Sequence, residues 1–134
     1  MGSYQLQQMD GSFELLMVFE YDWGRLSDEQ KRRLLLSIST SYENFSDWMS
    51  YFVISELLGE YYCNEASFTV LCELRRTSNE VARSLVPHGF EHIAKDAESS
   101  DLRRQALEQL LSMKEDVSPQ VRGEVDEALS NLDL

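Results

Sequence analysis

Four times along its length this chain spells out how a helix begins, and those starts constrain its fold more than any other feature. Ser27-Asp28-Glu29-Gln30 has the form of a capping box. In such a box a hydroxyl and an amide three residues apart satisfy each other's orphan backbone N–H groups. Thr77-Ser78-Asn79-Glu80 repeats the form. Ser100-Asp101 and Ser118-Pro119 open two more helices, the second with proline at the first helical position, where its missing N–H has no partner to lose. With only 6 Gly and 2 Pro, the chain lacks the turns of an all-β domain. These features predict an all-α fold, and 134 residues suit a single helical domain over 1–134.

Between these starts the apolar spacing places the remaining helices. The second segment runs from Asp28 to about Thr40, with Leu34, Leu35 and Ile38 as its stripe. A third begins near Phe45 or Ser46 and stops at Gly59. It is apolar on two faces, Phe45–Trp48–Met49–Phe52 and Tyr51–Ile54–Leu58, which suits the central helix of a bundle or a face left for a partner. Asn64 caps a fourth helix, about Glu65–Arg76. A fifth carries Val81, Ala82, Leu85 and Val86 and kinks or ends at Pro87, whose ring removes a donor and crowds the preceding turn. The chain resumes as helix from His88 to Ala97. Residues 4–19 read two ways: as a hairpin about Asp10-Gly11, or as a helix with Phe13, Leu16, Met17 and Tyr21 on one face and Gly24 at its end.

The last third repeats itself at an offset of 19 residues. Leu102 meets Val121, Arg103 meets Arg122, Ala106 meets Val125, Glu108 meets Glu127 and Leu110 meets Leu129. These helices resemble those of HEAT and related α-solenoids, in which a capped start is followed by Val-Arg and then Ala-Leu. The resemblance covers about the last 35 residues and implies helical hairpins stacked into a short curved array. Gly123 stands where an ideal repeat has a helix former. A multi-helix bundle and a short solenoid with HEAT-like hairpins at its C-terminal end both satisfy the pattern.

Charge narrows the partners. Twelve Lys and Arg against 24 Asp and Glu give a net charge of −12. Nucleic acid and anionic membrane surfaces are thereby disfavoured, since both are held by basic side chains. A cationic partner is attracted, and its association is accelerated. No apolar run approaches a membrane span, and the N-terminus lacks the basic start of a signal peptide. Cys63 and Cys72, nine residues apart, allow a disulfide but read better as buried free thiols in a reducing compartment. The expected location is cytoplasmic.

The charge is unevenly spread. From Leu34 to Leu74 there is no Lys or Arg, yet this stretch holds Glu43, Asp47, Glu56, Glu60, Glu65 and Glu73, and 8 of the 14 aromatic residues. Tyrosines near helix ends offer large contact area with a polar tip, and neighbouring carboxylates can pair with Arg or Lys. The candidate partner-binding residues are therefore Tyr42, Glu43, Asp47, Glu56, Glu60, Tyr61, Tyr62 and Glu65. The bland counterpart is that the rings build the core and the acids face water.

No catalytic constellation is present: no Gly-rich phosphate loop, no Cys-x-x-Cys and no nucleophile elbow. His88 and His92 have ligand spacing on a helix, but Gly89 follows His88 and there is no third histidine. They read as partly exposed imidazoles in a polar entry to the helix. The expectation is a non-enzyme without cofactor or metal.

In its size, its acidic aromatic block and its helical repeats from Ser100 onward, the chain resembles the small acidic helical immunity proteins of bacterial polymorphic toxin and contact-dependent inhibition systems. That resemblance implies one-to-one binding to a cognate toxin domain, often a basic nuclease, and inhibition by occlusion without catalysis. A regulatory adaptor or helical scaffold that binds a peptide on a concave face is the alternative. A nucleic-acid mimic ranks below both, because bases return from Arg75 onward.

Overall fold

The computed structural model describes residues 23–41, 47–61 and 63–133, and among these every regular element is helical. The ambiguous segment 4–19 lies outside them. A 3-10 turn at Trp23–Arg25 precedes α1 (Asp28–Ser41). Helix α2 begins with one α-helical turn, Asp47–Ser50, and continues over Tyr51–Tyr61 in the wider π winding. Then follow α3 (Glu65–Leu74), α4 (Glu80–Asp96), α5 (Ser100–Ser112), a 3-10 turn at Met113–Glu115, and α6 (Pro119–Asn131).

The caps explain these boundaries. Ser27 N–H donates to Gln30 Oε1 at 2.8 Å, and Gln30 N–H donates to Ser27 Oγ at 3.1 Å, so the first capping box closes both ways. Asn64 accepts from Ser67 N–H at 3.1 Å. At α4 the expected box is shifted: the cap is Asn79, which accepts from Ala82 N–H, while Thr77 Oγ1 accepts from Asn79 N–H and shapes the turn before it. The cap of α5 is Ser99, one residue earlier than read from sequence, and Ser118 caps α6 as expected.

The repeat extends further back than α5. Arg83, Arg103 and Arg122 each stand four residues after a cap, at Asn79, Ser99 and Ser118. Each guanidinium turns back to the carbonyl six residues before it: Thr77 at 2.8 Å, Ala97, and Asp116 at 2.7 Å. The carbonyls are those of connecting loops, which have no helical donor and must be satisfied otherwise. The arginine of the Val-Arg signature is thus a loop clamp, and it recurs on three successive helices after Ala82, Leu102 and Val121.

Helix α4, and not α2, is the central element. It packs against α2, α3, α5 and α6, while α1 packs on α3. Helices α5 and α6 touch each other lightly and rest mainly on α4, so the molecule is a bundle around one helix. Val86, Phe90 and Ile93 of α4 are wholly buried. Each such side chain contributes roughly 1.5–3 kcal/mol. That packing outweighs the roughly 3 kcal/mol cost of an interior proline. Pro87 accordingly lies inside helix α4, which overturns the end and not the kink among the two outcomes read from sequence, and His88 and His92 sit within the helix instead of in an entry loop.

Gly59 does not stop α2 either. A Cβ there would lie 2.9 Å from Gly89 Cα, and one on Gly89 would lie 2.8 Å from a Leu71 methyl. The two glycines let α2 and α4 cross at backbone contact, with α3 closing the corner.

Candidate functional site

The start of α3, the end of α4 and the start of α5 enclose an open trough of about 910 Å³. Asn64 fixes the first wall by capping α3, which sets Glu65 in its first exposed turn. The second wall is the 97–99 connection. Buried Ala97 anchors it, and Arg103 clamps the carbonyls of Ala97 and Glu98. Phe68 and Leu102 supply the apolar floor, the Phe68 ring lying 5.8 Å from that of Phe90. Glu65, Asp96, Glu98 and Asp101 bring four carboxylates to the rim, and no Lys, Arg or His is among the lining residues.

These acids differ in what explains them. Glu65 and Asp101 stand in first helical turns, where the positive end of the helix favours them. Hydrogen bonds from Arg104 and then Gln105 further hold the Asp101 carboxyl below its usual range. Asp96 closes α4 at the end where the dipole disfavours an anion, and Glu98 belongs to no helix. Helix stability accounts for the first pair and not for the second. A smaller depression, lined by Asp28, Glu29, Arg32 and Leu36, shares Asn64, Glu65 and Thr69 with the trough, and its Glu29 is paired with Arg32 and Arg33.

Cys63 lines the trough without offering a nucleophile. Burial, and then the Asp96 charge, push its thiol up to about 11, so it is protonated at neutral pH. Its Sγ donates to the His92 carbonyl at 3.6 Å. Neither Cys63 nor Cys72 is disulfide-bonded, and both are half-buried where full burial was expected.

Of the sequence-derived partner residues, Glu65 lies in the trough. Asp47 is exposed at the start of α2 and is not among the lining residues. Tyr42, Glu43 and Tyr62 lie outside the described residues, as do the side chains of Glu56, Glu60 and Tyr61. Asp96, Glu98 and Asp101 were missed because they come from beyond Arg75, where bases dilute the composition. The available signal was three acids within six residues around the α4–α5 connection.

A second, smaller pocket of about 420 Å³ lies between α2, α4 and α6, lined by Tyr51, Ser55, His88, Glu91, Glu124 and Asn131 among others. Burial, and then Glu127, raise the Glu124 carboxyl above its ordinary value, with His88 opposing. At the far end of α3, the 75–77 and 113–117 connections bring Arg75, Arg76 and Arg83 together beside exposed Val117. Glu115 and Asp116 line the same place, Asp116 paired with Arg83. Among the described residues no helix is long and apolar enough to cross a membrane. No protein family, no curated protein and no solved structure matches this chain.

Proposed function

We propose that the chain is a binding protein that seats an Arg- or Lys-bearing segment of a cationic partner in the α3–α4–α5 trough, and that it serves as an immunity protein against a basic bacterial toxin domain. One observation carries the reading: an acidic trough with an apolar floor and no basic lining residue, two of whose carboxylates, Asp96 and Glu98, helix stability does not explain. A guanidinium stem fits such a floor while its fork pairs with the rim. The net charge of −12 adds long-range attraction. The protonated Cys63 thiol favours occlusion over catalysis. Two unpaired thiols suit action in a reducing cytoplasm.

The test is neutralisation. A toxin domain is sought in the gene directly upstream, and the chain is co-expressed with that candidate as the unaltered form and as Glu65→Lys/Glu98→Lys. Both positions are exposed, so the double variant should stay folded, with a slightly lowered melting temperature from the reversed charge in the first turn of α3, while losing protection. Full protection by the double variant contradicts the trough. Capture of a short acidic or apolar peptide in place of a basic domain favours the adaptor reading.

A further inference from the structure

We propose that His88 and His92 form an open, two-ligand site for a divalent transition-metal cation on the face of α4. The pair stands one turn apart on that helix, with rings edge-on and centroids 4.6 Å apart. Their Nε2 atoms converge to 3.1 Å. Nitrogens bound to zinc at about 2.0–2.1 Å lie about 3.3 Å apart at a tetrahedral angle and about 2.9 Å apart at a right angle. The observed separation falls between these, so a cation can bridge the two rings with little side-chain movement. Both imidazoles remain accessible, with side chains 37% and 20% exposed.

The outer surroundings suit the same ligand. His88 Nδ1 faces Glu91 Oε1 at 4.0 Å, and His92 Nδ1 faces Asp96 Oδ2 at 3.7 Å. The Glu91 carboxylate is itself held by Asn131 Nδ2 at 3.2 Å. In metal sites a carboxylate that accepts from the outer ring N–H fixes the ligating tautomer; here each carboxylate stands just beyond hydrogen-bond distance and would need a small approach to do so. Without a cation a neutral pair is in conflict. The Nε2–Nε2 hydrogen bond needs a proton on one Nε2, and that ring then turns a bare Nδ1 toward a carboxylate. His92 Nδ1 is buried and has no hydrogen-bond partner. A cation at the two Nε2 lone pairs resolves this. The ring that carried the Nε2 proton takes it on Nδ1 through solvent, both Nδ1–H groups then face carboxylates, and no proton is lost from the pair.

Spacing alone argued against a metal because it offered no third ligand. Among the described residues no three His, Cys, Asp or Glu side chains do converge, so water completes the coordination sphere. Imidazole ligands suit Cu²⁺, Ni²⁺ and Zn²⁺, with Cu²⁺ held tightest. The cation site shares Asp96 with the trough, while its two ligands, His88 and His92, lie outside the trough lining.

The experiment titrates the chelator-stripped chain with Cu²⁺ alone and with Zn²⁺ alone by calorimetry, and records electron paramagnetic resonance of the Cu²⁺ form. We expect one cation per chain, tighter Cu²⁺ than Zn²⁺, and nitrogen hyperfine structure from two imidazoles. His88→Ala and His92→Ala should each weaken binding at least about tenfold. The spectrum of the unaltered chain stands whether or not the variants fold. Absence of saturable binding, an oxygen-only Cu²⁺ spectrum, or equal affinity in well-folded variants overturns the site.

Discussion

At Gly59 an added Cβ would press on the Gly89 backbone, whereas at Gly123 it would meet nothing within 4 Å. The same substitution should therefore have opposite signs. Gly59→Ala should destabilise the fold by about 1–3 kcal/mol, because two backbones cannot part without disturbing the core. Gly123→Ala should stabilise it by about 0.5–1 kcal/mol, since an exposed helical glycine only adds unfolded-state freedom. Urea denaturation measures both, and a neutral Gly59→Ala contradicts the α2–α4 crossing. Cys63 gives a further check at this scale. Its thiol is pushed up by burial and by Asp96, so alkylation at pH 8 should be much slower than that of a free cysteine peptide. Sequence made Gly123 legible as an imperfect repeat position. It made Gly59 look like a helix end, because a glycine's close approach to another helix leaves no mark in its own neighbours.

At the scale of elements, the arginine clamps hold the connections between helices. Arg83 is the most committed of them, donating to both Asp116 carboxylate oxygens, at 2.9 and 3.1 Å, and to the Thr77 carbonyl. Burial alone would raise the Asp116 carboxyl. The Arg83 hydrogen bonds, the Ser118 N–H and the Arg83 and Arg122 charges together outweigh it and hold the group below its ordinary 3.8. A lowered folded-state value means that the pair contributes fully above about pH 4. The contribution is lost as pH falls through the folded value. Arg83→Ala should cost about 3 kcal/mol at pH 7, since it strands a partly buried carboxylate. The gap between variant and unaltered chain should narrow at pH 3, and a gap that is constant with pH contradicts the pairing. Helix starts were legible because capping is local: Ser27, Asn64 and Ser118 cap where the sequence places them. Pro87 misled because its helix is held by tertiary burial of Val86, Phe90 and Ile93, which no local rule contains.

Over the whole molecule, among the described residues, four carboxylates gather around the α3 start and the α4–α5 connection with no basic lining residue, whereas the opposite connections mix arginines with Glu115 and Asp116. Sequence exposed the acidic excess and, through Glu65, one wall of the trough. It did not expose the other wall, because Asp96, Glu98 and Asp101 join Glu65 only when α4 and α5 fold back past α3. An approaching cationic domain should meet the acidic trough first, and its arrival should be steered over distances that salt screens. The most direct measurement is the association rate of a candidate basic toxin domain, protective co-expression having identified it, with the chain and with Glu65→Lys/Glu98→Lys, at about 50 mM and about 500 mM salt. The account predicts that the rate for the unaltered chain falls at least about tenfold between the two salts, and that the double variant is slower at low salt and loses less of its rate to salt. Equal rates for the two proteins at both salts would contradict it and move the interface away from the trough.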